Sequence, residues 1–139
     1  MATIETKYLG GLRTEATHVQ SGTKIITDAP VDNHGKGEAF SPTDLVSASL
    51  ASCMLTIMGI KASANNIDID NTTCSVTKMM ANNPRRVAEI VIKFRFPKQY
   101  TEAEQKLLEH AALTCPVYFS LHEDLKKTVD FGWDAEVKA

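Results

Sequence analysis

The feature that most constrains this chain is one long apolar segment, Ser41–Ile60. It opens with a helix-start pattern, because Ser41 is a favourable N-cap, Pro42 suits the first helical position and Asp44 can accept a free N–H group. Small or apolar side chains then follow all round the helix rather than along one stripe, which predicts burial on every face. Hydroxyls interrupt the segment and it falls short of the ~20 apolar residues that a bilayer requires, so we expect no membrane span. A cysteine, Cys53, lies near its middle.

Length and charge narrow the class of protein. The chain has 139 residues, which predicts a single domain over residues 1–139. Its formal net charge is −2, and it lacks the basic excess that nucleic-acid binding requires. Residues 1–10 are mixed polar and lack the apolar core of a signal peptide. We therefore expect a cytoplasmic protein, in which thiols are kept reduced.

Alternating β-branched and apolar residues between turn signals predict strands on both sides of the apolar helix. We expect the helix to stop at Asn65-Asn66, because asparagine tolerates a left-handed cap. A loop at Asp28–Phe40 leads into the helix. The predicted strands are Thr3–Leu9, Leu12–Gln20, Thr23–Thr27, a strand starting within Ile67–Met80, Arg85–Phe96 and Thr128–Val137, the last with Phe131 and Trp133 on one face. The strands on the two sides of the turn at residues 81–84 are expected to pair as a hairpin.

Two helices are predicted between the last two strands. The T-x-x-E pattern at Thr101 is a capping box that opens the first. Pro116 suits the start of the second, in which Val117, Leu121 and Leu125 recur every four residues. The order of elements predicts an α+β fold with a mostly antiparallel sheet.

The three cysteines are Cys53, Cys74 and Cys115, without C-x-x-C spacing. The four histidines show no metal-ligand spacing either, so we expect no metal site. Cys74 lies in a predicted strand and is interpreted as an inert buried thiol. Cys115 lies at a predicted helix start, where the helix dipole favours a thiolate. Residue patterns alone support two structural cysteines as well as a redox pair.

Peroxide chemistry would explain such a pair. A thiolate attacks the O–O bond and becomes a sulfenic acid, which a second thiol traps as a disulfide. Free cysteine has a pKa of about 8.5, and lowering it by two units takes about 2.7 kcal/mol of preferential stabilisation of the anion. A guanidinium can supply this, because it stays charged and donates hydrogen bonds through a planar fork.

Three segments resemble the OsmC/Ohr family of organic hydroperoxide reductases. They are Ser41-Pro42-Thr43-Asp44-Leu45 with the small-residue helix to Cys53, Thr114-Cys115-Pro116-Val117, and Tyr8-Leu9-Gly10-Gly11-Leu12-Arg13. The resemblance covers nearly the whole chain. It implies an intertwined homodimer in which a β-sheet from each chain wraps two central helices, with the sites at the dimer interface.

The resemblance also implies roles for individual residues. Cys53 matches the peroxidatic cysteine, Cys115 the resolving cysteine, and Arg13 the arginine that holds the reactive thiolate across the dimer. The family often has a glutamate directly after the helix-start proline, and here that position is Thr43. We interpret the following residue, Asp44, as a helix cap. Glu38, in the preceding loop, is then the candidate for the missing carboxylate.

Three functions are compatible with these patterns. The first is a peroxidase that reduces organic hydroperoxides without metal, haem or flavin and is reset by an external dithiol or a lipoyl protein. The second is a non-catalytic, stress-associated protein that binds a hydrophobic small molecule in the cleft at the dimer interface. A cysteine hydrolase is the third, and it is less well supported because no motif places a histidine beside Cys53.

Overall fold

Six strands and three α-helices make up residues 1–134, the part of the chain that the computed structural model describes. This confirms the predicted α+β class. The strands form two separate three-stranded sheets rather than one. The chain divides into two compact units, Met1–Val46 and Ser47–Ala139. The single domain expected over residues 1–139 stays a prediction.

The first unit is an antiparallel sheet of β1 (Ile4–Gly10), β2 (Arg13–His18) and β3 (Lys24–Asp28), in chain order. All three predicted strands are therefore confirmed. The prediction that the loop begins at Asp28 was wrong, because β3 continues through that residue, which pairs in register with Arg13. A 3-10 turn at Val31–Asn33 follows in the loop.

The two faces of this sheet differ in polarity, because side chains alternate along each strand. The register places Ile4, Tyr8 and Ile25 on one face, among alanine and threonine side chains. All three are exposed, and Tyr8 is 64% exposed. The opposite face carries the charged residues, including Arg13 and Asp28.

The apolar segment forms helix α1 (Pro42–Ala64), and both of its predicted ends are confirmed. Asp44 N–H donates to Ser41 Oγ at 3.0 Å, and Ser41 N–H donates to Asp44 Oδ2 at 3.0 Å. These two bonds satisfy free donors of the first turn. At the other end Asn66 adopts a left-handed φ of 56°, and Ile67 N–H donates to Ala62 O at 2.9 Å.

Burial along α1 follows one face, so burial on every face is not found within a single chain. The buried residues recur every three or four positions, whereas Thr56 and Ile60 on the other side are exposed. Helix α1 has 23 residues, in agreement with its predicted ends. It is long and apolar enough to cross a membrane, with a mean hydropathy of 1.6, although core helices of soluble proteins share this property. The absence of a membrane span stays a prediction.

The second unit contains the sheet β4 (Thr73–Ala81), β5 (Arg86–Arg95) and β6 (Lys126–Asp130), in that order. The predicted hairpin of β4 and β5 is confirmed. Strand β6 lies parallel to β5, because a helical connection carries the chain back before it enters the sheet. It ends earlier than the predicted strand, whose last residues, 135–137, lie outside the described part.

Helices α2 (Glu102–Leu113) and α3 (Pro116–Ser120) form that connection. The predicted capping box of α2 is confirmed, since Thr101 and Glu104 exchange both bonds, at 3.2 and 2.9 Å. Helix α3 begins at Pro116 as predicted but does not reach Leu125. It ends because Leu121 is extended (ψ 147°), which lets the chain turn into β6.

The apolar core lies in the second unit. Its fully buried large side chains come from α1, β5 and α2: Leu50, Met54, Met58, Ile90, Ile92 and Leu108. Phe131 and Trp133 stack with centroids 5.7 Å apart, which confirms that they share a face. They join Phe94 and Phe96 in one aromatic cluster.

Candidate functional site

Cys53 and Cys115 meet in the second unit. Cys53 lies in α1, and Cys115 is the N-cap residue of α3. Their side chains lie near enough to interact, because Cys53 is one of the groups that raise the pKa of Cys115. The sequence could not show this, because the two cysteines are far apart along the chain. Both cysteines are free thiols in this structure.

The two thiols differ in exposure. Cys115 is 0% exposed, whereas Cys53 is partly exposed. Cys53 is therefore the more accessible of the two residues. This asymmetry matters chemically, because oxidation of a thiol follows its accessibility as well as its ionisation.

Burial also sets the protonation of Cys115. Tyr118 N–H donates to its sulfur at 3.4 Å, the bond expected at a helix start. Nevertheless, burial raises the pKa of Cys115, and the hydrogen bond with Cys53 raises it further, which together outweigh the N–H donor. The expected preference for a thiolate at this position was therefore wrong. The raised pKa favours the protonated thiol at Cys115.

Cys74 has a different environment. It lies in β4 directly opposite Phe94, on the strand face that carries the aromatic cluster. The thiol is partly buried, and burial raises its pKa. A thiol of this kind behaves as a small hydrophobe, as the sequence suggested for this residue.

The first unit contains a second cluster of functional groups, centred on Arg13. Its Nη2 lies 3.1 Å from Asp28 Oδ2 and 3.9 Å from Glu38 Oε1. The Asp28 side chain is fully buried, whereas the Glu38 side chain is 64% exposed. The sequence offered Glu38 as a partner for Arg13 and missed Asp28. Extending the predicted β2–β3 hairpin by one residue pair would have placed Asp28 opposite Arg13.

These contacts shift the pKa values of Asp28 and Arg13 in opposite directions. The hydrogen bond from Arg13 is the main cause that lowers the pKa of Asp28, and a bond from Glu38 N–H at 3.0 Å contributes next. The same hydrogen bond to Asp28 raises the pKa of Arg13. The pair is therefore ionised on both sides at neutral pH. Lys36 makes a smaller contribution, since its charge also lowers the pKa of Asp28.

Neighbouring positions of the helix start have other partners. Asp44 accepts the Ser41 N–H, as expected of a cap, and Thr43 Oγ1 lies 3.2 Å from Ser41 Oγ. Within residues 1–134, no three His, Cys, Asp or Glu side chains are grouped so as to hold a metal ion.

Comparisons with known proteins agree on one family. A family model described as OsmC-like protein matches residues 35–130. The crystal structure of a candidate osmotic stress induced and detoxification response protein from Psychrobacter arcticus is 56% identical, with a TM-score of 0.91 over 94% of this chain and 95% of that one. No curated protein matches this chain.

More distant structures share the fold. An organic hydroperoxide resistance protein, OsmC, from Legionella pneumophila has a TM-score of 0.73 at 16% identity, over 94% of this chain and 96% of that one. A candidate organic hydroperoxide resistance protein from Vibrio cholerae, with captopril bound in one active site, has a TM-score of 0.71 at 14% identity, over 94% of this chain and 91% of that one.

Proposed function

This chain belongs to the OsmC-like family, and we propose that it is a peroxidase that reduces organic hydroperoxides through Cys53 and Cys115. The proximity of these two thiols in the second unit carries the proposal. Two distant structural neighbours are named for organic hydroperoxide resistance, which supports the choice of substrate class.

The reaction has three steps. The Cys53 thiolate attacks one oxygen of the hydroperoxide, the O–O bond breaks, and the remaining alkoxide takes a proton and leaves as the alcohol. Cys53 is then a sulfenic acid. The Cys115 sulfur attacks the Cys53 sulfur, the hydroxyl leaves with the thiol proton as water, and a disulfide forms. An external dithiol or lipoyl protein supplies the two electrons and two protons that restore both thiols.

Exposure and protonation support this assignment of roles. Cys53 is the more accessible sulfur, as the residue that meets the peroxide must be. Cys115 is buried and its pKa is raised, so it is the poorer nucleophile towards the peroxide. It nevertheless lies near enough to Cys53 to interact with it, which supports its role as the resolving thiol.

We assign Arg13 to the stabilisation of the Cys53 thiolate. A guanidinium has five N–H donors and stays charged, which suits it to hold an anion while it remains paired with a carboxylate. Asp28 and Glu38 are the carboxylates within its reach. Glu38 is exposed and 3.9 Å away, so an anion can displace it at small cost.

We further propose a cytoplasmic homodimer. The apolar face of the first sheet, with Ile4, Tyr8 and Ile25, is exposed in one chain, and α1 also exposes Ile60. Three strands need a covered hydrophobic face for independent stability, and a second copy would supply it. Light scattering at micromolar concentration should find a dimer. A well-folded monomer under these conditions would contradict the proposal.

A peroxide-consumption assay with a dithiol reductant tests the function. Wild-type protein should consume an organic hydroperoxide catalytically when dihydrolipoamide or a small dithiol is present. One equivalent of hydroperoxide without reductant should give an intrachain Cys53–Cys115 disulfide and leave Cys74 free in peptide mapping. A disulfide that includes Cys74, or no consumption with any dithiol, would contradict the proposed cycle and favour a non-catalytic binding protein.

A further inference from the structure

Asp28 is the only charged side chain among the buried residues of the described part, residues 1–134. Burial of an unpaired carboxylate is costly, so a buried one requires compensating partners. Two donors converge on one of its oxygens. Arg13 Nη2 lies 3.1 Å and Glu38 N–H 3.0 Å from Oδ2, while Oδ1 is buried without a hydrogen-bond partner in this part of the chain.

The backbone around Asp28 fixes its position as well. Asp28 N–H donates to Phe40 O at 2.9 Å, and the next residue, Ala29, donates to Leu12 O at 3.1 Å. The carboxylate therefore joins β2, β3 and the end of the loop that leads into α1. These backbone bonds set the place of Asp28, whereas the side chain of its partner Arg13 is 36% exposed.

A second ion pair on the same hairpin provides a contrast. Lys24 Nζ lies 3.1 Å from Glu15 Oε1, the same separation as in the Arg13–Asp28 pair. Both of its side chains are partly exposed, at 58% and 28%, as in an ordinary surface pair of small energetic value. Asp28 differs because its side chain is fully buried. A hydrogen bond to a charged group is stronger in the protein interior than in water.

We propose that Asp28 is a positioning residue, which holds the Arg13 guanidinium by Nη2 so that its other N–H groups can bind the reacting thiolate. The inference rests on the proposed function, in which Arg13 stabilises the Cys53 anion. Asp28 acts through Arg13 and does not touch the reacting atoms. Glu38, at 3.9 Å and exposed, is the exchangeable neighbour that yields to the thiolate.

Two roles of Asp28, positioning of Arg13 and simple neutralisation of its charge, predict opposite effects of Asp28→Asn on the stability of the Cys53 thiolate. If Asp28 only offset the charge of Arg13, its replacement by asparagine would strengthen the field of the guanidinium and favour the thiolate. If Asp28 positions Arg13, the same replacement leaves a neutral acceptor, which holds a guanidinium about half as strongly. Arg13 can then turn towards Glu38, and the thiolate is stabilised less.

The test is the alkylation rate of Cys53 by iodoacetamide at pH 7, in the full-length protein with Cys74→Ala and Cys115→Ala. Arg13→Ala should slow alkylation by about tenfold, the equivalent of one pKa unit. Asp28→Asn should slow it by about threefold, if half of the guanidinium's hold is lost. The double variant Arg13→Ala/Asp28→Asn should be no slower than Arg13→Ala alone. Glu15→Gln, the matched control, should leave the rate unchanged.

Three results would overturn the inference. The first is faster alkylation in Asp28→Asn than in the parent, and the second is an unchanged rate in that variant. The third is that Asp28→Asn slows alkylation equally with and without Arg13, which would show a merely structural role. If Arg13→Ala has no effect, the inference and the role of Arg13 both fail, whereas peroxide consumption by wild-type protein tests the rest of the proposed function separately.

A second measurement does not depend on the folding of an Asp28 variant. NMR titration of the Asp28 carboxyl should show a higher pKa in Arg13→Ala than in the parent, because the main cause that lowers it is removed. An unchanged titration would show that Asp28 does not hold Arg13 in solution and would overturn the inference.

Discussion

The two units of this chain differ in what they bury. In residues 1–46 the buried side chains are polar: Thr27, Asp28 and Ser41. In the described part of the second unit, every buried side chain except Ser47 is apolar or a thiol. The first unit is therefore held by its strand pairing and by directed polar contacts, and the second by packing.

The comparison shows that burial alone does not decide how an ionisable group behaves. Asp28 and Cys115 are both fully buried, yet the pKa of Asp28 is lowered and that of Cys115 is raised. The difference lies in their partners. A guanidinium stabilises the Asp28 carboxylate, whereas the backbone N–H groups of Tyr118 and Val117 do not compensate for the desolvation of the Cys115 thiolate. The surroundings of Asp28 in the first unit therefore favour its anion, and those of Cys115 in the second unit favour its neutral thiol.

The largest expected effect comes from removal of the accessible thiol of the second unit. Cys53→Ser should lower hydroperoxide consumption by more than about a thousandfold, because a hydroxyl at neutral pH is a far weaker nucleophile than a thiolate. Cys74→Ser should leave the rate unchanged and is the matched control. Retained turnover in Cys53→Ser, measured with the same dithiol, would show that the reactive group lies elsewhere.

The packing of the second unit should be sensitive to lost volume. Met54 is fully buried in α1, so Met54→Ala should lower the free energy of unfolding by about 2–5 kcal/mol. Met54→Leu, which nearly conserves volume, should cost less than about 1.5 kcal/mol. Chemical denaturation measures both. An alanine variant that loses no more than the leucine variant would break the contrast between the units.

Local signals in the sequence predicted much of this fold. The caps of α1 and α2 depend on residues three apart in the chain, such as Ser41 and Asp44, so short patterns were sufficient. The β4–β5 hairpin followed from alternation on both sides of a turn. Both are interactions between near neighbours.

The remaining features depend on distant partners. The early end of α3 and the parallel placement of β6 follow from where the chain must re-enter the sheet. The raised pKa of Cys115 could not be predicted, because it depends on how deeply its surroundings bury it. Asp28 was missed for a similar reason, since its burial and its bond to Arg13 appear only when β2 and β3 pair.

The charge of the first unit should affect the chemistry of the second by a moderate amount. Arg13→Ala should slow the reaction with hydroperoxide at neutral pH by about tenfold, if the guanidinium supplies one pKa unit of thiolate stabilisation. The more basic thiolate is the better nucleophile, which offsets part of this loss. Arg13→Lys should recover only part of the rate, since a point charge cannot make the forked contact. Full recovery by lysine would show that charge alone is sufficient.

The smallest expected effect is a local loss of protection at acid pH, confined to the first unit. The folded-state pKa of Asp28 is lowered from 3.8, so its contribution to stability is complete above that value and is lost as pH falls below it, through the folded pKa. Glu38 N–H donates to Asp28 Oδ2, so its hydrogen exchange, corrected for the intrinsic rate, should lose protection in this acid range. Tyr118 N–H, which donates to the Cys115 sulfur, should not change there, because burial raises the pKa of that thiol. Asp28→Asn is the control, and its Glu38 N–H should show no acid transition. If both amides lose protection together in the parent protein, the acid transition is global unfolding, and the polar first unit is not the separately acid-sensitive part of the chain.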